Sequence, residues 1–247
     1  MTKAVGIDIG GTGIKGALVN VETGELLTDR IKVDTPDGGR PEDIVQVVVK
    51  IIEQLNPGSD VKVGVCFPAV VIKGRTMSAA NVSKKWIGLE AEKLFEQALK
   101  RDIRFVNDAD AAGVAEVRFG AAKNVDGVVI LTTLGTGIGS ALIYNGVLVP
   151  NTELGHLEVD GTDAEKKASY MAKERENLSW EKWAKRLQKY YEVVEALFSP
   201  DLIIVGGGVS KSYEDFLPLL KLRAPIVPAQ LRNNAGILGA AALAVHE

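Results

Sequence analysis

One short sequence occurs twice in this chain. Gly11–Leu18 reads GTGIKGAL and Gly135–Leu142 reads GTGIGSAL, with six identities in eight positions. Each copy follows a hydrophobic strand-like run and leads into another. A chain that twice spells strand, glycine turn and strand is expected to build two similar subdomains, with a break near residues 107–120. The first copy carries a second signal. Gly11, Gly13 and Gly16 have the G-x-G-x-x-G spacing of a dinucleotide-binding turn, but that site needs a helix after its glycines. Here Ile14, Gly16 and Leu18 alternate with Lys15, Ala17 and Val19, and Thr23-Gly24 closes a turn. That is strand periodicity. Asp34 lies at about the distance of a ribose-binding acid, but the missing helix outweighs it. No Gly-Lys-Ser/Thr occurs, so there is no Walker A loop either.

The rest of the chain alternates in the same way. Strands are predicted over 4–9, 14–20, 25–33, 61–66, 103–106, 127–133, 138–144 and 201–205. Helices are predicted over 41–55, 90–100, 109–118, 179–198, 212–221 and 236–246. This alternation defines an α/β protein. Short connections make the first three strands antiparallel hairpins, since a parallel pair needs a longer crossover. The charge-rich stretch from Asp160 to Arg186 reads as a solvated face or a mobile flap.

A hairpin with a glycine turn can aim several backbone N–H groups at one anion, and Thr12 adds a hydroxyl. Asp8, just before the first turn, would repel a bare phosphate. It makes sense beside a Mg²⁺, which usually keeps water in its shell; the alternative is that Asp8 caps a plain turn. Lys15 supplies a point charge for a phosphate oxygen. The second copy, Thr132-Thr133-Leu134-Gly135-Thr136-Gly137, offers hydroxyls and N–H groups but no acid. Two such hairpins facing each other could clamp one phosphate chain. A third glycine element, Gly206-Gly207-Gly208, follows a buried strand and precedes a predicted helix. It reads as a place for phosphate to meet backbone, or as a tight strand-to-helix turn.

Phosphoryl transfer needs a carboxylate to take the hydroxyl proton. Asn107 and Asp108 fall where a strand ends and a helix begins, so Asp108 can be that base; either residue can also be a helix N-cap. Glu153, His156 and Glu158 lie in NTELGHLEVDG. Gly155 and the run Leu157-Glu158-Val159 argue against a helical metal site, and a loop hydrogen-bonding a polyhydroxy ligand fits better; a structural role for His156 is the alternative. Trp180, Trp183, Leu187, Tyr190, Val194 and Leu197 make one apolar helical face, read as core or subunit packing.

Composition removes other classes. A net charge of −3 gives no global basic field for nucleic acid. One cysteine, Cys66, and two histidines exclude a disulfide framework and a Cys cluster for zinc. No run approaches the 18 or so apolar residues of a membrane span. A cytoplasmic protein without nucleic-acid or membrane partners is expected.

Together GIDIGGTGIKGA, VNDADAAG, LTTLGTGIGSA, ELGHLEVDG and PDLIIVGGGVSK resemble the ROK (repressor, open reading frame, kinase) sugar kinases, and within them the polyphosphate glucokinases, over essentially the whole chain. The resemblance implies an actin-like ATPase fold, a duplicated ribonuclease H-like sugar kinase architecture of two domains with a cleft between them. We expect residues 1–107 with about 235–247 in the small domain and 108–234 in the large one. It also implies transfer of a terminal phosphoryl group from polyphosphate, with ATP as a further donor, to the 6-hydroxyl of glucose. By position Asp108 would be the base. Asn81, Asn107, Asp108, Glu153 and His156 would contact glucose, with Glu165 as the further sugar-binding glutamate and Glu158 as its alternative. Gly10, Gly11, Thr12, Gly13, Lys15, Thr133, Gly135, Thr136, Gly137, Gly207 and Gly208 would hold phosphates, and Asp8 would act through Mg²⁺. Most ROK proteins carry a zinc-binding cysteine cluster shortly after E-x-G-H. Here DGTDAEKKAS has none, as in the polyphosphate glucokinases, so no structural zinc is expected. A homodimer is expected. A sugar-sensing repressor is disfavoured, because the first glycine turn is reached by Gly10 with no room ahead of it for a helix-turn-helix.

Overall fold

The computed structural model describes residues 1–245. By its internal contacts the chain divides into two units, Met1–Ala115 together with the segment from Asn233 onward, and Glu116–Arg232.

The first unit opens with β1 (Lys3–Ile9) and β2 (Gly13–Asn20), an antiparallel hairpin whose last pair, Ile9 and Ile14, brackets the first glycine turn. Strands β3 (Glu25–Leu26) and β4 (Ile31–Asp34) both pair with β2. The predicted strand over 25–33 is therefore broken: after the Leu27 N–H bonds the Leu18 carbonyl at 2.7 Å, residues 28–30 leave the sheet, and the chain returns to β2 nearer its start. Helix α1 (Pro41–Leu55) has Pro41 in its first turn and Glu42 and Asp43 beside the positive end of its dipole. It buries Ile44, Val45, Val48, Ile51 and Ile52, and stops at Asn56 in the left-handed conformation. Strand β5 (Lys62–Phe67) runs parallel to β1. A small hairpin of β6 (Val71–Ile72) and β7 (Arg75–Thr76) precedes α2 (Ala91–Leu99). Strand β8 (Ile103–Asn107) then adds parallel to β5 and passes directly into α3 (Asp108–Phe119). The sheet order is β3-β2-β1-β5-β8. Its core on one side is aromatic: Phe67, Trp86, Phe95 and Phe105 pack with ring centroids 4.4 to 6.1 Å apart, with Phe95 stacked on Trp86 and Phe105, and Phe67 tilted against both.

The second unit repeats this plan. Strands β9 (Val128–Leu134) and β10 (Ile138–Tyr144) form the hairpin around the second glycine turn, and β11 (Val147–Val149) adds to its edge. A two-stranded piece, β12 (Glu158–Val159) with β13 (Thr162–Asp163), leads into α4 (Glu165–Ala168), α5 (Tyr170–Arg175) and α6 (Trp180–Phe198). The polar stretch read as a face or flap thus carries two short helices that bury Ala168 and Ala172. Strand β14 (Leu202–Gly206) is parallel to β9, and β15 (Ile226–Pro228) is parallel to β14. The order β11-β10-β9-β14-β15 matches the five-strand path of the first sheet, with β10 between β11 and β9 as β2 lies between β3 and β1; β4, the sixth strand of the first sheet, has no counterpart in the second.

Helix α6 starts at Ser179, whose side chain accepts the Lys182 N–H. Its apolar face is core: Trp183, Leu187, Tyr190 and Val194 are fully buried and Trp180 is partly so, while Leu197 is exposed. The helix predicted over 212–221 is only one α-turn, α7 (Tyr213–Phe216), flanked by 3₁₀ turns at Gly208–Ser212 and Leu217–Leu219. Pro218 cannot donate the next helical hydrogen bond.

The chain returns to the first unit as α8 (Ala235–Ala244); the predicted end of this helix, His246, lies outside the described residues. This helix is rich in Ala and Gly and lies directly on the sheet. A Cβ on Gly6 of β1 would sit 1.9 Å from the Ile237 carbonyl oxygen, and one on Gly64 of β5 would sit 1.9 Å from that of Ala240. Backbone cannot retreat as a side chain can. Gly64→Ala should therefore cost about 2–3 kcal/mol by overpacking and lower Tm by roughly 5–10 °C for a chain of this size. Gly208→Ala, whose Cβ would touch nothing within 4 Å, should leave Tm nearly unchanged. Thermal unfolding followed by circular dichroism checks both.

Candidate active site

In the first unit the parallel strands β1, β5 and β8 end side by side, and Asp8, Cys66 and Val106 are register neighbours. The carboxyl ends of parallel strands are where open α/β sheets bind ligands. Asp8 is partly buried there, and its Oδ2 accepts from Lys15 Nζ at 2.8 Å. Lys15 reaches it because the two residues face each other across the β1–β2 pair. The Cys66 Sγ lies 3.7 Å from Asp8 Oδ1 and 3.5 Å from the Gly236 carbonyl oxygen. Burial pushes the Cys66 thiol far up, and the charges of Asp8 and Asp108 push it further. It is therefore a neutral donor beneath Asp8 and not a thiolate. A Cβ on Gly236 would come within 2.8 Å of the Asp8 carboxyl carbon, so α8 closes another side.

The first turn is closed by the Gly10 N–H on the Gly13 carbonyl at 3.0 Å, and the Thr35 hydroxyl donates to the Gly10 carbonyl at 2.6 Å. Gly11 and Thr12 are exposed. Asn81, with a left-handed φ of 59°, lies so close to Gly11 that a Cβ there would be 2.9 Å from its own Cβ. The predicted sugar loop and the first phosphate turn thus meet.

Asn107 is the cap of α3. Its Oδ1 accepts the N–H groups of Ala109 and Asp110 at 2.8 and 3.0 Å, and its Nδ2 donates to the Ala69 carbonyl at 3.0 Å. One Nδ2 hydrogen is left for a ligand. Asp108, one residue on, is partly exposed in the first helical turn, where its negative charge suits the dipole. Its Oδ1 also accepts the Ala109 N–H at 2.8 Å.

In the second unit β9 and β14 are parallel neighbours, and Gly206 is the register partner of Thr133. The second and third glycine elements therefore lie together. Gly207, with φ 83°, packs so tightly that a Cβ would be 2.4 Å from the Leu134 carbonyl oxygen. Gly135 and Gly208 differ: added Cβ atoms would meet nothing within 4 Å, so packing does not explain these glycines. The Gly135 N–H bonds the Gly137 carbonyl at 3.0 Å, and Thr136 at the tip is exposed.

Glu153, His156, Asp163 and Glu165 cluster after this turn. His156 Nδ1 lies 2.9 Å from Asp163 Oδ2, and Asp163 Oδ1 accepts the Glu165 N–H at 3.0 Å. The Asp163 hydrogen bond raises His156 above its ordinary value of 6.5, with Glu165 and Glu153 adding to it against partial desolvation. With Nδ1 engaged, Nε2 is left to face a ligand. Glu153 has an exposed side chain, yet the protein atoms around its carboxyl remove enough water to raise its proton affinity; Glu165 adds to this and His156 opposes it. Glu158 is exposed on β12, where it is the register partner of Asp163, whereas the Glu165 charge bears on both Glu153 and His156. Sequence reasoning does not place Asp163, Cys66, Thr35 or Gly236 in a site. Only Asp163 left a trace, as the acid two residues before Glu165.

Among the described residues no three His, Cys, Asp or Glu side chains come together as a metal cage. A single carboxylate such as Asp8 suits Mg²⁺, which keeps several waters and takes its remaining oxygens from substrate phosphates. Among the described residues, no helix is long and apolar enough to cross a membrane.

Two sheets of one strand order, each opening on a glycine hairpin, define the actin-like ATPase class of sugar kinase folds. Residues 4–175 match the ROK family model. The chain belongs to the ROK family. It is 46% identical over 243 residues to the polyphosphate glucokinase of Mycobacterium tuberculosis (strain CDC 1551 / Oshkosh), covering 98% of this chain and 91% of that one. Its structure is similar to that of an inorganic polyphosphate/ATP-glucomannokinase from Arthrobacter sp. strain KM, with a TM-score of 0.92 and 51% identity over 98% of this chain and 97% of the other. It is also similar to a ROK family glucokinase from Streptomyces griseus in complex with glucose and AMPPNP, with a TM-score of 0.82 and 27% identity over 98% and 99% of the two chains.

The His156–Asp163 contact has a pH signature. A histidine raised in the folded state stabilises the fold below its unfolded value and loses that contribution as pH rises through the folded one. Asp163→Asn keeps an oxygen for the Glu165 N–H but removes the charge. The pair is solvent-accessible, so the loss should stay below about 1 kcal/mol, or roughly 1–3 °C in Tm. It should appear at about pH 5.5 and vanish by about pH 9. Melting curves of both proteins across that range check it.

Proposed function

We propose that this chain is a polyphosphate glucokinase, which transfers the terminal phosphoryl group of inorganic polyphosphate to the 6-hydroxyl of glucose and also accepts ATP. The observation that carries this reading is a pair of glycines, Gly135 and Gly208, that neither packing nor a left-handed backbone requires. Bare backbone at such positions serves a ligand that must come close to N–H groups. The glucokinase and glucomannokinase relatives support glucose as acceptor and polyphosphate as donor. The glucomannokinase also supports mannose as a second acceptor.

In this reading Gly11, Thr12 and Gly13 present N–H and hydroxyl groups to donor phosphates, as do Thr136, Gly137, Gly207 and Gly208 with the Thr133 hydroxyl, while Gly10 and Gly135, whose own N–H groups close the two turns, leave bare backbone for a phosphate to approach. Lys15 bridges Asp8 and a phosphate oxygen. Mg²⁺, held near Asp8 through water, would neutralise charge on the phosphates. Glu153, Glu165, His156 through Nε2, Asn81 and the remaining Asn107 hydrogen orient the sugar hydroxyls. Asp108 takes the proton from the 6-hydroxyl as its oxygen bonds the terminal phosphorus. The bond from that phosphorus to the bridging oxygen breaks, and the donor leaves one phosphate shorter with the electron pair.

Purified protein with glucose and Mg²⁺ should form glucose 6-phosphate from polyphosphate and, in a separate reaction, from ATP. Product from ATP alone would replace the polyphosphate assignment with that of an ATP-dependent glucokinase. Asp108→Asn should lower kcat by about 10²- to 10⁴-fold while equilibrium glucose binding stays near that of the parent. Near-parental turnover would remove Asp108 as the base.

Lys15→Ala should raise the donor KM by about tenfold, the loss of one charge-assisted contact, and leave the glucose KM within about twofold. Steady-state kinetics with each substrate varied in turn reads the split, and a larger effect on glucose would count against a donor role for Lys15.

A further inference from the structure

The Asp163–Met171 segment touches both the sugar cluster and the second glycine turn. Asp163 holds His156 and the start of α4. The next carboxylate, Glu165, turns its Oε2 onto the Ile138 N–H at 2.9 Å, immediately after the turn. That oxygen occupies the space where a Cβ on Gly137 would lie, 2.1 Å away. The bareness of Gly137 is thus matched to Glu165. Six residues on, the Met171 N–H donates to the Gly135 carbonyl at 3.0 Å. The turn is therefore braced at both ends by one segment. Glu165 Oε1 accepts no donor among the described residues.

We propose that Glu165 is a positioning residue for the donor turn as well as a sugar-side carboxylate. One oxygen fixes the Gly135–Ile138 backbone, and the other is left to the acceptor. A partly buried carboxylate that accepts a backbone N–H holds that peptide in one orientation, and that orientation decides where the neighbouring N–H groups point. Occupancy of the sugar cluster and the shape of the phosphate turn are then linked through one side chain, so each substrate tightens the other. This rests on the kinase reading given above.

The test compares Glu165→Ala with Glu165→Gln, which keeps a carbonyl oxygen for the Ile138 N–H. Hydrogen exchange on the ligand-free protein follows the Ile138 amide. Equilibrium binding of polyphosphate, and of ATP with Mg²⁺, is then measured without glucose. The alanine variant should exchange this amide at least tenfold faster and bind donor at least fivefold more weakly. The glutamine variant should stay within about twofold of the parent in both. Unchanged exchange in the alanine variant overturns the proposal. So does parental donor affinity in an alanine variant whose Ile138 amide has been released, because Glu165 then serves the sugar alone. A parent protein that binds neither donor overturns the kinase reading, and the exchange measurement then decides the positioning role by itself. Melting curves establish that both variants are folded.

Discussion

The first unit depends on backbone meeting backbone without side chains between. Gly6 and Gly64 let α8 lie on β1 and β5, and Gly239 does the same against α3, where a Cβ would be 1.7 Å from the Ala111 carbonyl oxygen. At this separation a single methyl group has nowhere to go, so the helix has one register on the sheet. That register brings Gly236 against Asp8 and its carbonyl oxygen to Cys66. The acid before the first glycine turn is consequently fixed by Lys15, Cys66 and a helix that cannot slide. The opposite side of the sheet is held by the Phe67–Trp86–Phe95–Phe105 cluster together with the Ile and Val side chains of α1, β1, β2 and β5. One face stabilises and the other positions.

The repeated backbone has been put to two uses. Aligning Gly11 with Gly135 sets Asp8 opposite Thr132, Lys15 opposite Gly139, and Cys66, the strand neighbour of Asp8, opposite Val205, the strand neighbour of Thr132. The first copy keeps a charged pair at the end of its central strand. In the second, Thr132 is buried and its hydroxyl bonds Tyr191 on α6 at 2.7 Å. Thr132 is fully buried between the Tyr191 hydroxyl and its strand neighbour Val205, so a carboxylate there would lose its water. The second turn takes its carboxylate from outside the sheet instead, as Glu165 on the segment after the hairpin.

Much of this was legible in the sequence because it is local. The repeat, the hairpins on either side of each glycine turn, the bounds of α1 and the apolar face of α6 follow from period, turn residues and caps. Two elements misled for local reasons of their own. Residues 25–33 carry Leu26, Leu27, Thr28, Ile31 and Val33, but Asp29-Arg30 interrupt the run, and the chain leaves β2 after Leu27 and rejoins it at Ile31. Residues 212–221 have helical composition, but Pro218 and a start at Gly207 limit the segment to single turns. The strand order could not be read from periodicity, since pairing between β1 and β5 spans more than fifty residues.

The same limit applies to the site. Residues inside a motif, such as Asp8, Asn107 and Glu153, announce themselves by type and neighbours. Residues that hold them do so across distance: Cys66 reaches Asp8 through a parallel pairing, Thr35 reaches Gly10 from β4's end, and Asp163 reaches His156 through the β12–β13 turn. Beyond the place of Asp163 two residues before Glu165, nothing in their own sequence surroundings marks them as parts of a site. Gly137 shows how the two kinds of information join. Its place in the motif suggests phosphate, whereas its contact with Glu165 gives it a second, independent reason to lack a side chain. Gly135 has no such reason among its protein neighbours, and the space beside it is accordingly the better guide to where a ligand approaches the turn.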